Sequence, residues 1–161
     1  MPIFLPLLCY TNTFVFISIG KAYDCVRSHH ILKIVEEIGI KGPFFHYIQN
    51  FLTIKTFKVK INSTLSETFN QMQGVRQGSN MSVTLFGITI NGIIVDLPTD
   101  IQKRLFVDNL AIYFSASSVT AIERKLQMAI NKIFKWTFQT GFQLSKEKTV
   151  AVHFHRKKAF S

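Results

Sequence analysis

Four residues, Phe106-Val107-Asp108-Asn109, lie between two short apolar segments and constrain the fold more than any other feature of the chain. The flanking segments 105–107 and 110–114 predict two β-strands, and Asp108-Asn109 predicts the tight turn that joins them. Because the tip of a rigid hairpin holds its side chains in fixed positions, a carboxylate there is well placed to bind a metal ion. Taken alone, however, a turn aspartate is more often a turn former than a ligand.

The composition favours a folded domain with a polyanionic partner. The chain has 161 residues, of which 47% are hydrophobic and 17% are charged, so it can bury a core and is not expected to be disordered. Lys and Arg number 19 against 9 Asp and Glu, which gives a formal net charge of +10. An excess of positive charge favours a polyanionic partner, with nucleic acid first and an anionic membrane surface second. The alternative is a basic globular domain without such a partner.

Nothing in the sequence indicates secretion or a membrane anchor. Cys9 and Cys25 form neither a disulfide framework nor a zinc-binding pattern. The apolar segment 2–9 is interrupted by two prolines and has no basic region before it, and no segment is long enough to cross a membrane. We therefore expect no membrane partner and an intracellular location, nuclear or cytoplasmic, while the oligomeric state stays open.

The hydrophobic pattern predicts hairpins and helices without regular β-α-β alternation, which is typical of the α+β class. Strands are predicted at 14–19, at 57–61 and 65–69 as a hairpin, and at 150–154. Helices are predicted from the N-cap Ser28 to Gly39, from Pro43 to 52, from about 82 to 95, and from the capping residue Thr120 to about 141. Lys58 and Lys60 on the hairpin, and the basic tail Arg156-Lys157-Lys158, are candidate nucleic-acid contacts, although a solvated face explains the two hairpin lysines equally well.

Four segments resemble, in order and spacing, the palm region of reverse transcriptases, most closely those of jockey-like non-LTR retrotransposons. They are residues 17–24 (ISIGKAYD), 74–79 (GVRQGS), 106–109 (FVDN) and 141–149 (GFQLSKEKT). Each motif alone is weak, but together they extend the resemblance over about residues 14–158. The resemblance implies a palm-like antiparallel sheet with helices packed on one face. It also implies RNA-templated DNA synthesis, with an RNA template, a DNA primer and Mg²⁺ or Mn²⁺.

The resemblance also assigns the catalytic positions. Ser18, Asp108 and Asn109 stand where the family has three metal-binding aspartates, and Lys148 matches the lysine of the family's fourth palm motif. Two of the three ligand positions are therefore neutral, and a charge of −3 becomes −1. Since a pair of unit charges 4 Å apart is worth about 4 kcal/mol at an effective dielectric constant near 20, each lost carboxylate weakens metal binding substantially. We expect Asp108 to be the one charged metal ligand of the three and the polymerase to be inactive.

Other matching positions concern the nucleotide and the template. Tyr23 matches the aromatic residue that lies under the incoming sugar, although an ordinary core aromatic is the alternative. Gln77 and Gly78 belong to the nucleotide and template region of the family. Arg76 replaces a common proline there and is a candidate nucleic-acid contact. Asp24 is a possible substitute carboxylate, for which we expect a structural role.

The domain prediction is a single partial reverse transcriptase domain over residues 1–161, the palm with part of the fingers and without the thumb. The leading hypothesis is a reverse transcriptase-like palm with little or no activity. The alternatives are a non-catalytic basic nucleic-acid-binding domain and a translated retroelement remnant without function. The leading hypothesis predicts that Ser18 lies beside Asp108 on an adjacent strand. It also predicts that Tyr23 and Gln77 line the same cleft as Asp108.

Overall fold

The computed structural model describes residues 11–155, which fall into two compact units. The first unit contains residues 11–19, 93–136 and 144–155, and the second contains residues 20–92 and 137–143. The basic tail at residues 156–158 lies outside the described residues, so its predicted contact with nucleic acid stays a prediction. The prediction of a single domain also stays a prediction.

Strands and helices are intermixed along the described chain. The strands are β1 (Thr11–Gly20), β2 (Thr56–Phe57), β3 (Lys60–Ile61), β4 (Thr64–Leu65), β5 (Phe69–Asn70), β6 (Gln102–Phe106), β7 (Asn109–Ala116) and β8 (Gln143–Phe154). The helices are α1 (Ala22–Cys25), α2 (Ser28–Glu37), α3 (Gly42–Thr53), α4 (Asn80–Val95) and α5 (Val119–Thr140). No helix of the described chain is both long and apolar enough to cross a membrane.

The first unit is built on a four-stranded sheet with the order β6-β7-β1-β8. β7 pairs antiparallel with both β1 and β6, and Val15 lies opposite Ile112 and Ile17 opposite Leu110. These four side chains are buried, so one face of the sheet belongs to the core. Because side chains alternate along a strand, the residues between them point to the opposite face.

Helix α5 supplies the second apolar layer of this unit. Its buried residues recur every three or four positions, as an amphipathic helix requires: Ile122, Leu126, Ala129 and Ile133. Sheet and helix together confirm the α+β prediction, with a palm-like antiparallel sheet. The predicted cap was wrong: Thr120 lies inside α5, which begins at Val119.

The second unit contains the helices α1 to α3, most of α4 and two short antiparallel ribbons. α2 and α3 pack together through buried side chains that include Val35 and Ile48. Ser28 does not cap α2, because Arg27 holds the N-cap position and the Ser28 hydroxyl donates instead to the carbonyl oxygen of Leu52 at 3.4 Å.

The predicted hairpin at residues 57–69 forms, but in two pieces. β3 pairs with β4 around a turn at Asn62 and Ser63, and β2 pairs with β5. Both faces of β2 and β3 are exposed, whereas the alternation of apolar residues with Lys58 and Lys60 had predicted a half-exposed strand. Lys58 and Lys60 are exposed, and contact with nucleic acid stays a prediction for them.

Candidate functional site

The hairpin that carries Asp108 turns one residue earlier than predicted. Phe106 pairs with Asn109, so the turn residues are Val107 and Asp108, and Asn109 already belongs to β7. The physical reason is the backbone of Val107, whose φ of 53° reverses the chain at that residue. Asp108 lies at the tip of the hairpin as predicted, whereas Asn109 does not.

Ser18 lies directly opposite Asn109 on the neighbouring strand. The backbone N–H of Ile19 donates to the carbonyl oxygen of Asp108 at 2.9 Å. This bond makes Ser18 and Asn109 a non-hydrogen-bonded pair, in which Cα atoms are about 4.5 Å apart and side chains come closest. The predicted proximity of Ser18 and Asp108 is thereby confirmed, while their metal-binding roles stay predictions.

A depression of about 330 Å³ opens beside this pair, on the face of the sheet opposite the buried core. It is lined by Phe16, Ile17, Ser18, Arg104, Phe106, Asn109, Leu110, Ala111 and Lys148. Lys148 comes from β8, so a residue of the fourth motif lines the depression beside residues of the first and third. Its catalytic role stays a prediction. The charged side chains of this lining are therefore Arg104 and Lys148, both cations, and Asp108 lies next to the depression.

The oxygen donors at this place are the hydroxyl of Ser18, the amide of Asn109 and one carboxylate. Asp108 supplies one carboxylate, and its Oδ1 accepts a hydrogen bond from the Asn109 amide at 3.1 Å. Mg²⁺ in such sites is held by one or two carboxylates together with substrate phosphates, and cations close by oppose its binding. Among the described residues, no group of three or more His, Cys, Asp or Glu side chains is arranged to hold a metal ion.

The glycine loop at residues 74–79 is attached to the segment around α1, within the second unit. The N–H of Gly74 donates to the carbonyl oxygen of Val26 at 2.9 Å, and that of Val75 donates to Tyr23 at 2.8 Å. Gly74 has a φ of 77°, and a Cβ there would lie 2.6 Å from the Tyr23 carbonyl oxygen. Only glycine permits this close approach of the two segments.

The loop brings together the residues predicted to contact the nucleotide. The Gln77 amide donates to the Asp24 carboxylate at 3.0 Å, which gives Asp24 a structural partner as expected. Tyr23 is partly exposed and stacks on Phe86 of α4, with the ring centroids 4.4 Å apart. Gly78 is exposed and has a φ of 88°. These residues belong to the second unit and Asp108 to the first, so a cleft shared with Asp108 stays a prediction.

Lys55 is a residue that the sequence did not single out. It is buried, and its ammonium group donates to the carbonyl oxygens of Gln73 at 3.3 Å and Gly74 at 2.5 Å. Burial, and secondarily the charge of Arg76, lowers the pKa of Lys55. Nothing in the sequence distinguished Lys55 from the exposed Lys58 and Lys60, because its burial depends on hydrogen bonds that form only in the folded chain.

Arg76 makes contacts within its own unit. Its guanidinium donates to the carbonyl oxygen of Ile54 and lies over the ring of Phe51, 5.4 Å from the centroid. The side chain is nevertheless exposed. Its predicted contact with nucleic acid stays a prediction.

Curated relatives match most of this chain but only a small part of their own length. The probable RNA-directed DNA polymerase from transposon BS of Drosophila melanogaster is 23% identical over 151 residues, covering 88% of this chain and 16% of the relative. The Pol polyprotein from the type-2 retrotransposable element R2DM of the same organism is 24% identical over 139 residues, covering 84% of this chain and 13% of the relative. The chain thus spans less than a fifth of either protein.

Solved structures of telomerase share the fold. The telomerase of Candida albicans in complex with a fragment of telomeric RNA matches with a TM-score of 0.71 at 14% identity, covering 91% of this chain and 27% of that one. The corresponding complex from Candida tropicalis gives a TM-score of 0.66 at 15% identity, covering 89% and 26%. The family model described as reverse transcriptase (RNA-dependent DNA polymerase) matches residues 8–160. With motifs, sheet and hairpin in agreement, the chain belongs to the reverse transcriptase family.

Proposed function

We propose that this chain is a reverse transcriptase palm of the non-LTR type whose polymerase site is impaired, and that it retains nucleic-acid binding. The observation that carries the proposal is the pair formed by Ser18 and Asn109 beside the single carboxylate of Asp108. The resemblance predicts three carboxylates at these positions. Two of them are neutral here, at a place whose fold is otherwise that of the family.

The chemistry explains why this loss matters. In two-metal catalysis, ions about 4 Å apart hold both the attacking and the leaving oxygen of the displacement. A hydroxyl and an amide offer oxygen lone pairs, but they do not neutralise two divalent charges. Arg104 beside the same sheet position adds positive charge, which opposes metal binding further.

The remaining matches support a nucleic-acid partner. Tyr23 and Gln77 are assembled by the glycine loop, and Lys58 and Lys60 are exposed. An RNA template and a DNA primer are the partners that the family would use. The rival function is a non-catalytic basic binding domain, which the two cations lining the depression favour.

The decisive experiment restores both carboxylates. In the variant Ser18→Asp/Asn109→Asp, we expect the affinity for Mn²⁺ to rise about tenfold or more. A tenfold change in affinity corresponds to only about 1.4 kcal/mol, which is less than two added carboxylates can contribute. The measurement is the paramagnetic line broadening that bound Mn²⁺ causes. The control is Asn62→Asp/Ser63→Asp, which adds the same two charges at the tip of another hairpin. The control should leave Mn²⁺ binding weak.

Primer extension tests activity directly. The unmodified chain should incorporate no labelled deoxynucleotide on a primed RNA template, with Mg²⁺ or with Mn²⁺. Robust incorporation by the unmodified chain would contradict the proposal and would make Asp24 or substrate phosphates the source of the missing charge. Equal Mn²⁺ binding by the restored variant and the control would contradict the proposed metal positions.

A further inference from the structure

The glycine loop is attached to the end of α3 by two cationic side chains that run in opposite directions. Lys55, two residues after α3, donates from its ammonium group to the carbonyl oxygens of Gln73 at 3.3 Å and Gly74 at 2.5 Å. The guanidinium of Arg76 donates to the carbonyl oxygen of Ile54. Each segment therefore contributes one cation that binds the backbone of the other.

Further contacts join the same two segments. The guanidinium of Arg76 lies over the ring of Phe51, 5.4 Å from its centroid. The backbone N–H of Gln71 donates to the carbonyl oxygen of Lys55 at 2.8 Å. Because a guanidinium is planar, bonding a carbonyl oxygen and stacking on a ring at the same time hold it in one orientation. The Arg76 side chain is exposed, but it is not free to point anywhere.

Packing alone does not explain the buried position of Lys55. Its side chain is 2% exposed, and among the described residues its ammonium group has neutral carbonyl oxygens as partners and no carboxylate in an ion pair. A buried cation without an anion costs stability, which an apolar side chain of similar length avoids. What the ammonium group adds is a pair of charge-assisted hydrogen bonds to the loop, which are stronger than bonds between neutral groups.

The segment held in this way leads directly to Gln77. The N–H groups of Gly74 and Val75 bind the segment around α1, and the Gln77 amide donates to the Asp24 carboxylate at 3.0 Å. Arg76 lies in the chain between these two attachments. Its contact with the end of α3 therefore limits where the backbone of the next residue, Gln77, can lie.

We propose that Lys55 and Arg76 are positioning residues of the glycine loop: they hold it against the end of α3 and thereby fix the place of Gln77, and Arg76 itself makes no phosphate contact. This inference rests on the proposed nucleic-acid binding, to which it gives Arg76 an indirect role. To bind phosphate, the guanidinium of Arg76 would first have to give up both its carbonyl partner and its ring. Lys55 is buried and has no access to a ligand.

Amide hydrogen exchange of the full chain without a ligand, followed residue by residue, tests the attachment. The variants are Arg76→Gln and Lys55→Met, which keeps a long unbranched side chain and removes the charge. In both, the amides of Gly74 and Val75 should exchange about tenfold faster or more, because charge-assisted bonds that hold the loop are lost. The amide of Ile40, which is hydrogen-bonded elsewhere in the same unit, should be unchanged.

The matched control is Lys41→Gln, at an exposed cation that precedes the first turn of α3. It removes one positive charge without touching the loop, so all three amides should exchange as in the unmodified chain. Unchanged exchange at Gly74 and Val75 in Arg76→Gln would overturn the proposal. Equal acceleration at Ile40 in that variant would also overturn it, since the whole unit would then be loosened. Because Arg76 is exposed, this variant keeps the test valid if Lys55→Met does not fold.

Salt titrations with a labelled RNA template annealed to a DNA primer separate positioning from contact. Arg76→Gln should lower affinity about two- to tenfold and leave the slope of the logarithm of affinity against the logarithm of salt unchanged. The loss of about one unit of slope, the value for one phosphate contact, would overturn the proposal.

A double-mutant cycle with Gln77→Ala shows whether Arg76 acts through Gln77. If it does, Gln77→Ala should weaken binding by a similar factor, and the double variant should lose no more than the weaker-binding single variant. Additive losses would overturn the proposal. Complete lack of binding by the unmodified chain, with the exchange results as expected, would contradict the proposed nucleic-acid binding and leave the attachment of the loop established.

Discussion

At the scale of single residues, backbone strain is concentrated at the hairpin tip. Val107 has a φ of 53°, a region that β-branched residues adopt only as outliers. Such a conformation costs about 1–3 kcal/mol and is maintained by the surrounding structure. Here the two paired strands, β6 and β7, hold it in place.

Replacing Val107 by glycine should therefore stabilise the fold. Val107→Gly removes the strain, which stabilises the folded state. The greater conformational freedom of glycine in the unfolded chain reduces this gain by about 0.5–1 kcal/mol. We therefore expect the free energy of unfolding to rise by about 1 kcal/mol. Urea denaturation measures the free energy of unfolding. The control is Val150→Gly, at an equally exposed valine in β8 with an ordinary φ, which should lose stability. A loss in Val107→Gly as large as in the control would show that the turn is not strained.

The same residue explains why the turn lies one position earlier than predicted. Asp and Asn tolerate positive φ, so ordinary turn chemistry placed the turn at Asp108-Asn109. The chain instead puts the positive φ on Val107, which no propensity rule favours. The proximity of Ser18 and Asp108 was nevertheless predictable from the order of the matching motifs and the apolar segments that flank both residues. The burial of Lys55 was not predictable, since it depends on carbonyl oxygens of residues 18 and 19 positions away.

At the scale of elements, two glycines have opposite roles. A methyl group on Gly74 would lie 2.8 Å from the Asp24 Cα, and its φ of 77° disfavours any other residue, so the loop and the α1 segment fit only with glycine. Gly87, in α4, has no neighbour within 4 Å of an added Cβ and no positive φ. Here glycine only weakens the helix.

We therefore expect Gly74→Ala and Gly87→Ala to shift the melting temperature in opposite directions. Gly87→Ala should add up to about 1 kcal/mol, because alanine is the better helix former. Gly74→Ala should cost more than about 1 kcal/mol, since backbone atoms must move. Differential scanning calorimetry of both variants measures this. If Gly74→Ala were neutral, the close packing of loop and α1 segment would not be needed for the fold.

Element boundaries were predictable where the hydrophobic pattern was strong. β1 and α4 follow from their apolar residues, and Pro43 correctly indicated the first turn of α3. β8 was predicted to begin at Val150 but begins at Gln143, because residues 143–149 are mostly polar and carry no apolar strand pattern. A pattern of apolar residues therefore identifies the part of a strand that carries it, and a polar segment that continues the same strand escapes it.

At the scale of the whole molecule, the sequence gives the net charge but not where it lies. The excess of Lys and Arg was countable, and nucleic acid followed from it as the preferred partner. That Arg104 and Lys148 line the depression depends on pairing between strands far apart in sequence. The neutral positions Ser18 and Asn109 were predictable by resemblance, whereas the side chains that surround them in the depression required the sheet register.

The net charge of +10 leads to a prediction for the intact chain. Binding to nucleic acid of unrelated sequences should be weak and similar, and the logarithm of affinity should fall linearly with the logarithm of salt, because phosphate contacts release counterions. Each accessible lysine that contacts phosphate contributes about one unit of slope, so Lys58→Gln/Lys60→Gln should reduce the slope by about two if the ribbon takes part. Titrations between about 50 and 200 mM salt cover the range in which such a dependence is steep. Affinity that does not change with salt would mean that the positive charge of this chain serves something other than a phosphate backbone.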